Sequence, residues 1–193
     1  MKMKVFFPVL VIGMLINTAL FAQDNSYGDD PETCRINLST YTEFFNQKNY
    51  KDAMPAWRWC FINCPASTKN IYIHGTTIVE YFIGIQTDEV AKQAYIDTLM
   101  MVYDNRITYF NQKALVLGRK GNSMLKYRPE QVKEAHDVLE ESFNLGGNDT
   151  EYFVLGFYMN TTVVLFTKGE LTKEQVVDTY SKVSDALNYQ IAN

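Results

Sequence analysis

The sequence predicts an all-α protein of stacked antiparallel helix pairs, about eight helices following an N-terminal targeting segment. Three observations lead there. Apolar residues make up 47% of the 193 residues, enough for a real core and too many for a disordered chain. No stretch alternates with a period of two between hairpin turns, so strand signal is almost absent. Helical segments instead alternate with short breaks marked by Pro, Gly and Asn.

Taken in order, Lys2 and Lys4 form a positive start, Val5 to Ile16 is an apolar run, and a more polar stretch ends at Ala22. That is the pattern of a secretory signal over residues 1–22. The run is short of the ~20 apolar residues a membrane span needs. Residues 23–33 are polar and turn-rich and read as a flexible lead-in, leaving 34–193 as a helical repeat domain. Four helix pairs are expected there: about 34–48 with 50–63, 69–84 with 88–109, 112–126 with 129–144, and 149–168 with 172–190. Pro65 stops the second helix and Pro129 opens the sixth. Gly146-Gly147 and Gly169 end the sixth and seventh, and Asn148 or Asp149 would cap the seventh. Thr172 and Gln175 have capping-box spacing. The segment from Tyr152 to Phe166 comes nearest to a later membrane span, but Asn160, Thr161 and Thr162 interrupt it.

The formal charge is −4, and losing Lys2 and Lys4 with a signal segment takes it from −4 to −6. A nucleic-acid partner is excluded on that ground, since it calls for a basic face that displaces phosphate counterions.

Phe44, Tyr50, Ala53, Trp57, Cys60 and Pro65 follow one another at intervals of 6, 3, 4, 3 and 5. This series resembles the second half of the tetratricopeptide consensus, with small residues where two helices cross and aromatics beside them. Leu117-Gly118 and Leu155-Gly156 resemble the Leu-Gly of a first helix, and Gly75 fits the same glycine. Tyr180 and Val183 resemble the aromatic and small positions of a second helix. The resemblance implies a right-handed superhelix whose first helices line a concave face.

A wider resemblance covers about residues 34–190. It rests on Cys34-Arg35-Ile36-Asn37-Leu38-Ser39, Gln47-Lys48-Asn49-Tyr50, Asn63-Cys64-Pro65-Ala66-Ser67, Asn70-Ile71-Tyr72, Asp104-Asn105-Arg106-Ile107, Leu117-Gly118-Arg119-Lys120-Gly121 and Tyr127-Arg128-Pro129. These resemble exported tetratricopeptide repeat proteins of the Bacteroidetes, and imply an envelope-located protein, periplasmic, outer-membrane associated or extracellular. Asp97-Thr98-Leu99 resembles the O-glycosylation sequon of such proteins.

The three cysteines are Cys34, Cys60 and Cys64. Export would place them in an oxidising compartment. In an antiparallel hairpin the start of one helix lies beside the end of the other, so Cys34 and Cys64 are the expected disulfide. Such a loop of about 30 residues contributes roughly 3–4 kcal/mol in the chain-entropy picture. Cys60 then becomes a packing thiol. A Cys34–Cys60 link and three reduced thiols are the alternatives.

No catalytic constellation is visible. His74 and His136 lie in different pairs without zinc-ligand spacing, and the adjacency of His136 and Asp137 does not place both on one helix face. There is no nucleophile elbow, phosphate loop or dinucleotide fingerprint, so the expectation is no enzyme, no cofactor and no metal. Placing the repeats on the consensus puts Arg35, Leu38, Thr42 and Phe45 on the concave face of the first pair. It adds Leu115, Arg119 and Asn122 from the third and Phe153, Phe157 and Asn160 from the fourth. Aromatics, amides and arginines of this kind suit an extended peptide, with Arg119 pairing a carboxylate. The expected function is a non-enzymatic scaffold binding another protein or peptide. The alternatives are a structural subunit stacking through its end repeats and an enzyme with an unrecognised site.

Overall fold

The computed structural model describes residues 25–193. The targeting segment expected over 1–22 and the first two residues of the lead-in lie outside them. Eight α-helices follow one another: α1 (Pro31–Asn46), α2 (Tyr50–Asn63), α3 (Asn70–Ile85), α4 (Glu89–Phe110), α5 (Lys113–Tyr127), α6 (Val132–Gly146), α7 (Tyr152–Thr167) and α8 (Lys173–Ala192). Among the described residues there is no strand. No helix there is long and apolar enough to cross a membrane. The all-α, repeat-like architecture of paired helices is as expected.

Local chemistry sets the helix ends. Asp30 accepts a hydrogen bond from Thr33 N at 3.0 Å, with Pro31 at the first helical position. The helix therefore opens at Pro31, not at 34, and Asn25–Tyr27 forms a short 3₁₀ turn within the expected lead-in. Lys48 closes α1 with φ 57°: Lys48 N bonds Phe45 O and Asn49 N bonds Phe44 O. Gly169 closes α7 by the same pattern, through Phe166 O and Leu165 O. Asp88 caps α4, accepting from Ala91 N at 2.7 Å. The Thr172–Gln175 capping box opens α8.

Two expected helix starts move. α6 begins at Val132, because Arg128–Gln131 closes a turn (Gln131 N to Arg128 O, 2.9 Å) in which Pro129 takes the second position. α7 begins at Tyr152 without a side-chain cap, because Gly147–Asp149 winds as a 3₁₀ turn. Neither Asn148 nor Asp149 caps it.

Packing is closest within α1–α2, α3–α4 and α5–α6, and α7 packs more extensively on α6 than on α8. The first hairpin is stapled by the Cys34–Cys64 disulfide, which joins the start of α1 to the end of α2. Cys60 is the free thiol, fully buried beside it. The core of the first three pairs centres on Trp57, whose Nε1 donates to Ile71 O at 2.7 Å. Gly75 lets α3 cross there, since a Cβ would come within 2.7 Å of the Trp57 ring. A second cluster around Leu139, Leu155 and Tyr158 holds α6, α7 and α8. Gln190 ties the end of α8 back to the turn before α7, donating to the carbonyls of Asn148 and Thr150.

Candidate binding face

Single side-chain contacts link the first helices of successive pairs. Phe45 of α1 stacks on His74 of α3 at 3.9 Å between ring centroids. Glu80 of α3 accepts from Tyr127 Oη of α5 at 3.0 Å. Arg119 of α5 donates through Nε and Nη2 to Glu151, at the start of α7, at 3.3 and 3.0 Å. Such a row is what a repeat arrangement requires of α1, α3, α5 and α7.

The expected site residues fall along this row, but several are engaged within the chain. Arg35 lies 4.6 Å over the Tyr27 ring. Leu38, Thr42 and Phe45 are half-buried, and Phe45 is covered on one side by His74. Leu115 and Asn122 are half-buried, and Leu115 lines a cavity of about 220 Å³ that reaches Val154. Phe153 and Phe157 pack against the second core cluster and against each other. Asn160 is exposed. The chain's own Glu151 supplies to Arg119 the carboxylate expected of a peptide.

The open surface lies further along, in the cleft between α7 and α8. Tyr152, Gly156, Met159, Asn160, Val163 and Tyr180 border a groove of about 420 Å³ floored by Val183 and Leu187. Tyr152 is 74% exposed, Tyr180 62% and Val163 43%, a large apolar exposure for one small region. The repeat register explains it. Gly118, in the Leu-Gly of α5, is covered: a Cβ there would lie 2.7 Å from Val154 of α7 and 2.9 Å from Ser142 of α6. A Cβ on Gly156, in the matching Leu-Gly of α7, would meet no neighbouring atom within 4 Å. Of this groove, Asn160 alone stood among the residues expected from sequence. The repeated Leu-Gly was the signal for the rest.

Cys60 is not set up as a nucleophile. Burial pushes its thiol up to about 12, and its Sγ faces Cys34 O at 4.0 Å. His74 is held against Phe45 and Tyr41, and burial lowers its pKa. Among the described residues, His136, Asp137 and Glu140 of α6 bring potential ligand atoms within 4.8 Å of one another. The neighbouring side chains thus do converge, although sequence adjacency argued against it. Thr98 of the sequon-like triplet lies inside α4, its hydroxyl donating to Ala94 O.

No protein-family model, curated protein or solved structure matches the chain. The local geometry therefore carries the functional argument.

Proposed function

We propose that the chain is an exported, non-enzymatic scaffold of tetratricopeptide type, which binds an amphipathic helical segment of another protein in the α7–α8 groove. The observation that carries this reading is the uncovered Gly156. In the third pair the following first helix places Val154 over the equivalent Gly118. A partner helix presenting a β-branched residue to Gly156, with apolar neighbours one turn away against Tyr152, Val163 and Tyr180, repeats that packing. The Cys34–Cys64 disulfide supports an oxidising compartment. An acidic chain and an apolar groove favour a protein partner over nucleic acid.

A photo-crosslinking residue at Tyr180 tests this in envelope extract. The crosslinked protein is expected to disappear with Gly156→Arg, which projects a long charged side chain from a position where a Cβ meets no atom, and to persist with Arg119→Ala. Loss with Arg119→Ala alone, while Gly156→Arg still crosslinks, would instead place the partner on the row of first helices. Circular dichroism on both variants checks that folding is unaltered.

A further inference from the structure

A cleft of about 270 Å³ opens between α6 and the start of α8, and its chemistry differs from that of the apolar groove. His136 lies on its wall with only 7% of its side chain exposed. Its two ring nitrogens have unlike surroundings. Nε2 is 3.1 Å from Thr162 Oγ1, and that hydroxyl donates its own hydrogen to Tyr158 O at 2.9 Å. The Thr162 oxygen is therefore the acceptor toward His136, and Nε2 carries the ring proton. In the neutral ring Nδ1 keeps its lone pair, buried and without a hydrogen-bond partner.

That nitrogen lies beside two carboxylates. Asp137 Oδ1 is 3.5 Å away, and Glu140 joins it at i+4 on the same helix. Glu140 is itself oriented, since Tyr158 Oη donates to its Oε1 at 2.9 Å. Asp137 has Lys133 as a counter-charge, but no donor meets Nδ1, so the ring offers an unused electron pair beside two carboxylates. The arrangement has the form of a metal-binding histidine: one nitrogen free, and the other fixed by a donated hydrogen bond.

We infer that His136 Nδ1, Asp137 and Glu140 form a site for a divalent transition ion such as Zn²⁺. One imidazole nitrogen and two carboxylates select an ion of borderline hardness over Mg²⁺ or Ca²⁺, which prefer all-oxygen sets. Three protein ligands leave a coordination position for water or a further carboxylate. Asp178 of α8 lines the same cleft. The other charges that face it are cationic. Lys133 pairs Asp137 at 3.2 Å and Lys182 pairs Asp178 at 2.6 Å, both across exposed i,i+4 positions. Both lysines are solvent-exposed, where an ion pair contributes little, so an ion can replace them at little cost.

The test is calorimetric titration of the purified, untagged protein with Zn²⁺, Mn²⁺ and Mg²⁺. One Zn²⁺ per chain is expected, with Mg²⁺ silent. Asp137→Asn and Glu140→Gln, both at accessible positions, should each weaken Zn²⁺ at least about tenfold. Thr162→Val, which removes the acceptor for Nε2–H, should weaken it by roughly 10–100-fold. Lys133→Met should strengthen it. In nitrogen-detected NMR, Zn²⁺ should shift the His136 Nδ1 resonance while Nε2 keeps its proton. Absence of one-to-one binding at millimolar Zn²⁺ would overturn the site. So would affinity indifferent to both carboxylate changes, or an unmoved Nδ1 resonance.

Discussion

Gly75 lies directly under the Trp57 indole, and a Cβ added there would stand 2.7 Å from Cζ2 and 2.8 Å from Nε1. The same ring is held to α3 one turn earlier by its bond to Ile71 O. Gly75→Ala is therefore expected to destabilise the protein by about 1–3 kcal/mol through overpacking. Gly121→Ala, whose Cβ would meet Leu139 Cγ at 2.6 Å, should behave alike. Gly156→Ala meets no atom and should stabilise by about 0.5–1 kcal/mol through helix propensity. Urea denaturation of the three variants checks the opposite signs.

The Cys34–Cys64 link closes a 30-residue separation within one hairpin. Replacing both cysteines by serine should lower stability by about 3–4 kcal/mol, read as a reduced denaturation midpoint. Cys60→Ala leaves the staple intact and should have a smaller effect. If dithiothreitol shifts the midpoint of Cys60→Ala as much as that of wild type, the staple acts independently of the buried thiol.

Lys48 and Gly169 occupy the same place in matching helix-end motifs, at φ 57° and φ 76°. A lysine there carries the steric cost of the left-handed region that glycine avoids. Lys48→Gly is expected to raise stability by about 1 kcal/mol. Gly169→Ala should lower it, and thermal melts of the pair decide the matter.

His74 gives a pH signature. Its folded pKa lies below the free value of 6.5, because burial disfavours the charged ring. Below pH 6.5 the unfolded chain thus takes up a proton that the folded chain resists, so stability falls as pH drops from 6.5 toward the folded value. His74→Phe, which can keep the stack on Phe45, should flatten this acid slope. At the other end, burial raises Tyr41 and Tyr158 to about 12, so their contribution is lost as pH climbs above 10 toward 12. Melting temperatures across both ranges test the two signs.

Much of the architecture is legible in the sequence. Pro65, Gly147, Gly169 and the Thr172–Gln175 pair announce helix ends through local chemistry, and local chemistry is what a sequence displays. The disulfide was readable too, because any antiparallel hairpin brings its open ends together. What escaped depends on distance along the chain. Glu151 is 32 residues from Arg119, so nothing near Arg119 reveals that its charge is answered. Likewise, only the position of Thr162, 26 residues on, settles which nitrogen of His136 carries the proton. Openness over Gly156 is the least readable of all. Its Leu-Gly pair looks the same as that at Gly118, and the difference lies in what packs above it.

The principal contacts join consecutive helices, with α5–α7 and the return of α8 to the 147–149 turn as the additions. Such a chain has low contact order, so each hairpin closes only a short loop and folding can propagate along the stack. A polypeptide synthesised N-terminus first can complete the first hairpin while the rest is still being made. Cys34 and Cys64 can then pair as soon as the hairpin meets an oxidising compartment, with Cys60 already buried beside them, its Sγ 4.0 Å from Cys34 O. The architecture thereby withdraws the third thiol from disulfide exchange as folding proceeds, leaving no accessible thiolate to shuffle the native bond.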